Sequence, residues 1–296
     1  MADENIGSPP KNSAEWFEVD VPVRGCTFTL KQIQSAYSEL NQITQRECER
    51  TINDLKKPDD KSDAVWAAEL ADIRARAFKI TVSIKGGEDN VTKYGETGAI
   101  FDDSDLPFPI KSIFFTNEHS YKNVSNGISP PNGFLVWINF EKPPLFDPNP
   151  LVSHPTINAS NVKIKARDLT YFRATQNVFN TQIKRTRHWY SFIHEKFAYD
   201  IGLWLIGAPY TLYTVTIYCD KFFPAGGNLA SFRVAFYIYG IFVGIMIYRM
   251  LYSYLKWAFP VNVLKENKDT ATRHRLFFAT IITSLVVHFV SRVIWP

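Results

Sequence analysis

The stretch Ile201–Cys219, IGLWLIGAPYTLYTVTIYC, carries no charged side chain. A helix of this length, rising 1.5 Å per residue, comes close to the roughly 30 Å of hydrocarbon in a bilayer. Two more apolar segments follow it, Val234–Leu255 and Leu276–Trp295. Together they predict a C-terminal all-α membrane domain over 200–296, made of three transmembrane helices at about 201–219, 234–255 and 276–295. Pro209 lies inside the first span and predicts a kink or a packing contact there. Gly240 and Gly244, in the second, have the small-xxx-small spacing that lets two helices approach closely.

Ahead of that base the chain has the pattern of a hydrated domain. Residues 1–15 are polar and proline-bearing, with neither the basic nor the apolar region of an export signal, and predict a disordered tail. An α+β domain is expected over 16–167. Phe17, Val19 and Val21 alternate as in a short strand. Leu30, Ile33, Tyr37, Leu40, Ile43, Ile52 and Leu55 recur mostly at three- and four-residue steps, which predicts a helix to about Leu55. A shorter helix should begin near Asp63 with Ser62 as its cap. Beyond it the period becomes two, and strands are expected around Phe78–Ile84, Val91–Ile100, Lys111–Thr116, Phe134–Phe140 and Asn161–Ala166. Short turns between most of them favour an antiparallel meander sheet flanked by helices. Asp168 can then cap a long connecting helix over 168–199 that joins the domain to the first span.

Charges near the ends of the spans predict orientation. Lys184, Arg185, Arg187 and Lys196 precede the first span. Arg249, Lys256, Lys265, Lys268, Arg273 and Arg275 surround the connector between the second and third. Against these ten stand three on the opposite side, Lys221, Arg233 and Arg292. The bias predicts a multi-pass protein of the cell membrane, its N-terminal domain cytoplasmic and its C-terminus outside. Ionisable groups at membrane depth are costly, which makes Arg249, His288 and Arg292 candidate functional positions. The plainer expectation is that the arginines snorkel to headgroups and His288 bonds a neighbouring helix.

Composition argues against several classes of function. A net charge of +4 without a clustered basic face gives no support for nucleic-acid binding. Three cysteines, Cys26, Cys48 and Cys219, cannot form a disulfide framework, and the six histidines show no metal-ligand spacing. Asp102-Asp103-Ser104-Asp105 lacks the glycine and ligand spacing of a calcium loop and fits a solvated acidic turn. No nucleophile elbow or phosphate-binding glycine loop occurs. No catalytic residue, metal or cofactor is therefore expected, and the chain is not expected to be an enzyme. The expectation is an integral membrane protein, possessing a cytosolic sensor or interaction domain for an unknown protein or small-molecule partner. That domain would be coupled to a base that self-associates through its helices in the lipid bilayer, as an oligomeric membrane effector. The alternatives are an enzyme at the membrane surface and a scaffold subunit of a larger membrane complex.

Overall fold

The structure, a computed structural model, describes residues 16–145, 154–183, 187–268 and 271–294, with part of the side chains in its last helix. The tail expected over 1–15 lies outside these residues. The chain forms two compact units, each assembled from separated stretches of sequence.

The first unit draws on residues 1–23, 30–138 and 160–185. Strand β1 (Phe17–Pro22) opens it, and the two-residue β2 (Thr27–Phe28) belongs to the second unit. There follow α1 (Leu30–Asp54), α2 (Asp63–Arg76), β3 (Thr81–Gly86), β4 (Val91–Gly95), β5 (Ile110–Thr116) and α3 (Glu118–Val124). Then come β6 (Asn132–Asn139), β7 (Asn161–Ala166) and α4 (Leu169–Val178). The six long strands form an antiparallel sheet in the order β1-β7-β6-β5-β3-β4, flanked by helices. Alternate residues explain why: Val82, Ile84, Ile113, Phe115, Phe134, Val136, Ile138, Val162 and Ile164 are all buried. They share an apolar layer with Ile33 and Leu40 of α1 and with Phe179, whose ring lies 6.1 Å from Phe134. The period-two pattern is that of a sheet covered on one face and half-exposed on the other.

Two expectations need correction here. First, β5, β6 and β7 do form a meander, but β5 returns past the β3–β4 hairpin to pair with β3, which leaves β4 at the edge. The returning segment crosses the end of β3 at Gly86, where a Cβ would sit 1.8 Å from the Pro107 carbonyl oxygen. Second, the single helix over 168–199 is broken. Asp168 caps α4, accepting from the Thr170 N–H at 2.9 Å, and the helix widens into a π turn over Phe179–Ile183. Further on, the His188 N–H donates to the Gly25 carbonyl at 2.7 Å and so leaves the helical ladder. A separate short turn then covers Ser191–His194, and a new helix starts at Ala198.

The second unit draws on residues 24–29, 139–159 and 186–296. Its long helices begin with α5 (Ala198–Gly202), which runs through a π turn at Leu203–Gly207 into α6 (Ala208–Phe222). Pro209 stands at the start of α6, and the wider turn before it accommodates a residue that has no N–H to donate. Next come α7 (Arg233–Ala258), the two-residue β8 (Val263–Leu264) and α8 (Thr272–Ile294). β2 and β8 pair in parallel. Asn262 ties three stretches together, accepting from the Cys26 N–H at 3.2 Å and donating to the Asn139 carbonyl at 3.4 Å. Among the described residues two helices, Ala198–Phe222 and Ala230–Ala258, are long and apolar enough to cross a membrane, against the three expected. The third expected span falls on α8, and the side chains of His288 and Arg292 lie outside the described residues.

Candidate functional site

The most distinctive geometry in the second unit is the hairpin of α5–α6 against α7. Its seam is made of small residues. Gly244 faces Thr211 so closely that a Cβ there would lie 2.1 Å from Thr211 Cγ2, and one at Gly240 would lie 2.8 Å from Val215 Cγ2. The small-xxx-small pair thus packs against the preceding helix of the same chain. Gly202 and Gly207 complete the seam from the other side, leaving room for the Tyr248 ring. Those two glycines were legible only as composition, because their partner is a tyrosine on a different helix.

Away from the seam and from its end near Ala198 and Ala258, the hairpin is largely uncovered. The apolar window of the first helix is 17% buried and that of the second 0%. Trp204, Leu205, Ile206, Tyr239, Phe242 and Met246 are all exposed. Fully burying a large apolar side chain contributes about 1.5–3 kcal/mol. Six of them facing water would forgo about 10–20 kcal/mol, as much as a whole domain's net stability.

At one end of the hairpin, where α5 begins and α7 ends, aromatic rings form a collar. Tyr252 donates its hydroxyl to the Ile193 carbonyl at 2.7 Å, and Tyr248 donates to that of Tyr199 at 3.2 Å. Tyr190 stacks on His188 at 4.6 Å and meets Phe259 at 5.1 Å. Arg275 lies over Phe259 and donates from Nε to the Ala258 carbonyl at 2.9 Å, while Lys142 sits 4.5 Å above Trp257. Such rings, apolar in body and polar at the tip, are enriched where lipid meets water. Arg249 is half-buried in this region, and its charge reaches the Tyr199 hydroxyl.

His194 is buried beside the collar. Its Nε2 lies 2.5 Å from the Phe259 carbonyl, which can only accept, so Nε2 carries the hydrogen. Nδ1 then accepts from the Thr156 hydroxyl at 2.9 Å. Burial, opposed by the Phe259 bond and helped by the charge of Lys256, pulls the imidazole down to about 4. Both nitrogens are committed, and the ring is a neutral brace.

In the first unit, the segment from Asn117 to Asn132 that joins β5 to β6 holds a buried knot. Asn117 and Asn132 are each 5% exposed. Asn117 donates to the Asn132 carbonyl at 3.1 Å and the Tyr171 hydroxyl at 3.2 Å, and accepts from the Phe134 N–H at 2.9 Å. Asn132 accepts from the N–H groups of Arg167 and Asp168 and donates to Glu47 Oε1 at 2.5 Å. Burial raises the Glu47 carboxyl above its ordinary range. These bonds tie α1, β6 and the start of α4 together.

The acidic run is spoken for as well. Asp102 accepts from Gln34 Nε2 at 2.5 Å, and Asp103 pairs with Lys93, which holds its carboxyl below the usual range. Among the described residues no cluster of three or more histidine, cysteine or carboxylate side chains is placed to hold a metal. All three cysteines are buried, and none is in a disulfide. No protein-family model matches the chain, and no curated protein or solved structure matches it either.

Proposed function

We propose that this protein is a membrane-anchored interaction protein, in which the α5–α6/α7 hairpin crosses the bilayer and the α+β unit meets a partner on the cytoplasmic side. One observation carries the anchor: two long apolar helices pack on each other through glycines while most of their apolar windows stays exposed, 17% of the first and 0% of the second being buried. Lipid is the cover that such surfaces require. The aromatic collar sits at the hairpin's open end, as interfacial rings do. The excess of Lys and Arg around that end supports a cytoplasmic placement for the α+β unit and an outside placement for the turn between the helices. With α8 crossing a third time, the C-terminus would emerge outside. Since Gly240 and Gly244 are occupied within the chain, self-association of the base would use the exposed face bearing Tyr239, Phe242 and Met246.

The test is extraction. Membranes from cells producing the full chain are washed with alkaline carbonate and then with a non-ionic detergent. The protein should stay with the carbonate-washed pellet and dissolve only in detergent. Recovery in the carbonate supernatant would end the anchor reading.

A further inference from the structure

A cleft of about 170 Å³ opens in the second unit, with Arg24, Arg187, His194, Glu195, Lys196 and Val261 among the residues that line it. Its volume is far above the roughly 10–15 Å³ needed to seat one water. Arg24, Arg187 and Lys196 stand exposed around it, against one carboxylate, Glu195. Among the described residues none of these three cations makes a salt bridge. Lys196 does rest 4.9 Å over the Phe197 ring. His194 closes the cleft as a neutral brace with both nitrogens engaged within the protein. The cleft's lining is cationic on balance, three cations to one carboxylate, and two of the cations are guanidinium forks of the kind that match phosphate oxygens.

Chain position supplies the second argument. Lys196 is two residues ahead of Ala198, where the first long helix begins, and Val261 is three residues past Ala258, where the second ends. If those helices cross the bilayer, the cleft lies at headgroup depth. We propose that this cleft binds a phosphate-bearing anion, supplied by the headgroup of an anionic lipid. Its placement at headgroup depth rests on the membrane reading above, whereas its anion chemistry does not.

The full chain, purified in a non-ionic detergent, is examined by native mass spectrometry with phosphatidic acid and with phosphatidylcholine of the same acyl chains. The wild type should retain phosphatidic acid with a preference of about tenfold, the equivalent of one good charge-assisted contact. The combined Arg24→Gln, Arg187→Gln, Lys196→Gln variant should lose that preference while staying in the carbonate-washed pellet. Because all three side chains are exposed, the fold should survive; Glu195→Gln is the independent check and should strengthen the preference. Equal retention of both lipids, or a preference untouched by the triple variant, would overturn the site. Displacement of the lipid by millimolar inorganic phosphate would reassign the cleft to a free anion and overturn the headgroup source. Release by carbonate with the lipid preference intact would sink the membrane reading alone. Membrane retention without preference would sink the cleft alone.

Discussion

At His194 the protonation state follows from what the two nitrogens touch, and this gives the protein a pH dependence with a definite sign. An unfolded histidine titrates near 6.5, and the folded ring near 4. Between those values the unfolded chain binds the proton and the folded chain does not. Stability therefore rises with pH across this window; the contribution is complete above 6.5 and is lost as pH falls towards 4. Its size is about 3 kcal/mol. His188, also held down chiefly by burial, acts in the same direction. Unfolding of the full chain in detergent should show stability falling from pH 7.5 to 4.5, and His194→Gln should flatten the fall although it starts lower. An unchanged slope in the variant would remove His194 from the account. Nothing in the spacing of the sequence marks this residue, since its partners Thr156 and Phe259 lie 38 and 65 positions away. Asn117 and Asn132 were hidden in the same way. As letters they bound a polar loop, yet folded they satisfy buried donors and acceptors whose loss costs about 1–3 kcal/mol each.

The strands were the most legible elements, because period-two burial is imposed by the pleat itself; Asn161–Ala166 has the bounds that its alternation predicts. Helix α1 was legible for the matching reason, its apolar spacing; α2 has no fully buried residue and was legible at its start, where Ser62 does accept from the Val65 N–H at 3.4 Å. Connectivity was not legible. The place of β5 beside β3 depends on a crossing at Gly86, and at His188 the backbone N–H is bonded to residue 25 and not to a helical partner. In the hairpin the spacing of Gly240 and Gly244 announced a close contact but not its partner. That partner, Thr211, makes a sharp prediction: Gly244→Leu should force the two helices apart and lower the unfolding temperature of the detergent-solubilised chain. Gly244→Ala should cost less, and adding Thr211→Ala should recover part of the loss, because Cγ2 and Oγ1 are the atoms nearest the new Cβ. Independent, additive effects of the two substitutions would rule out a direct contact between Gly244 and Thr211.

For the molecule as a whole, apolar length and charge bias carry the reading, and both are properties of composition that survive any rearrangement of the fold. Two of the three expected spans have the length and apolarity that the bilayer demands. What the sequence hid is that the second unit gathers residues 24–29 and 139–159 from within the stretch expected to be the α+β domain alone. The ends of the hairpin meet in one collar, so if the hairpin crosses the bilayer as proposed, the segments before Ala198 and after Ala258 share one side of it. Glycosylation in microsomes tests which side. Asn90-Val91-Thr92 and Asn123-Val124-Ser125 have the acceptor pattern, and both asparagines are exposed, so an oligosaccharyltransferase would reach them if the α+β unit entered the lumen. With the unit cytoplasmic, neither should be modified, while an acceptor placed beyond Pro296 on a polar spacer should be modified if α8 makes the proposed third crossing. Modification at Asn90 or Asn123 would invert the orientation. A silent C-terminal acceptor would leave a two-helix anchor with α8 on the cytoplasmic side, where Arg273 and Arg275 at its start already favour the inner headgroups.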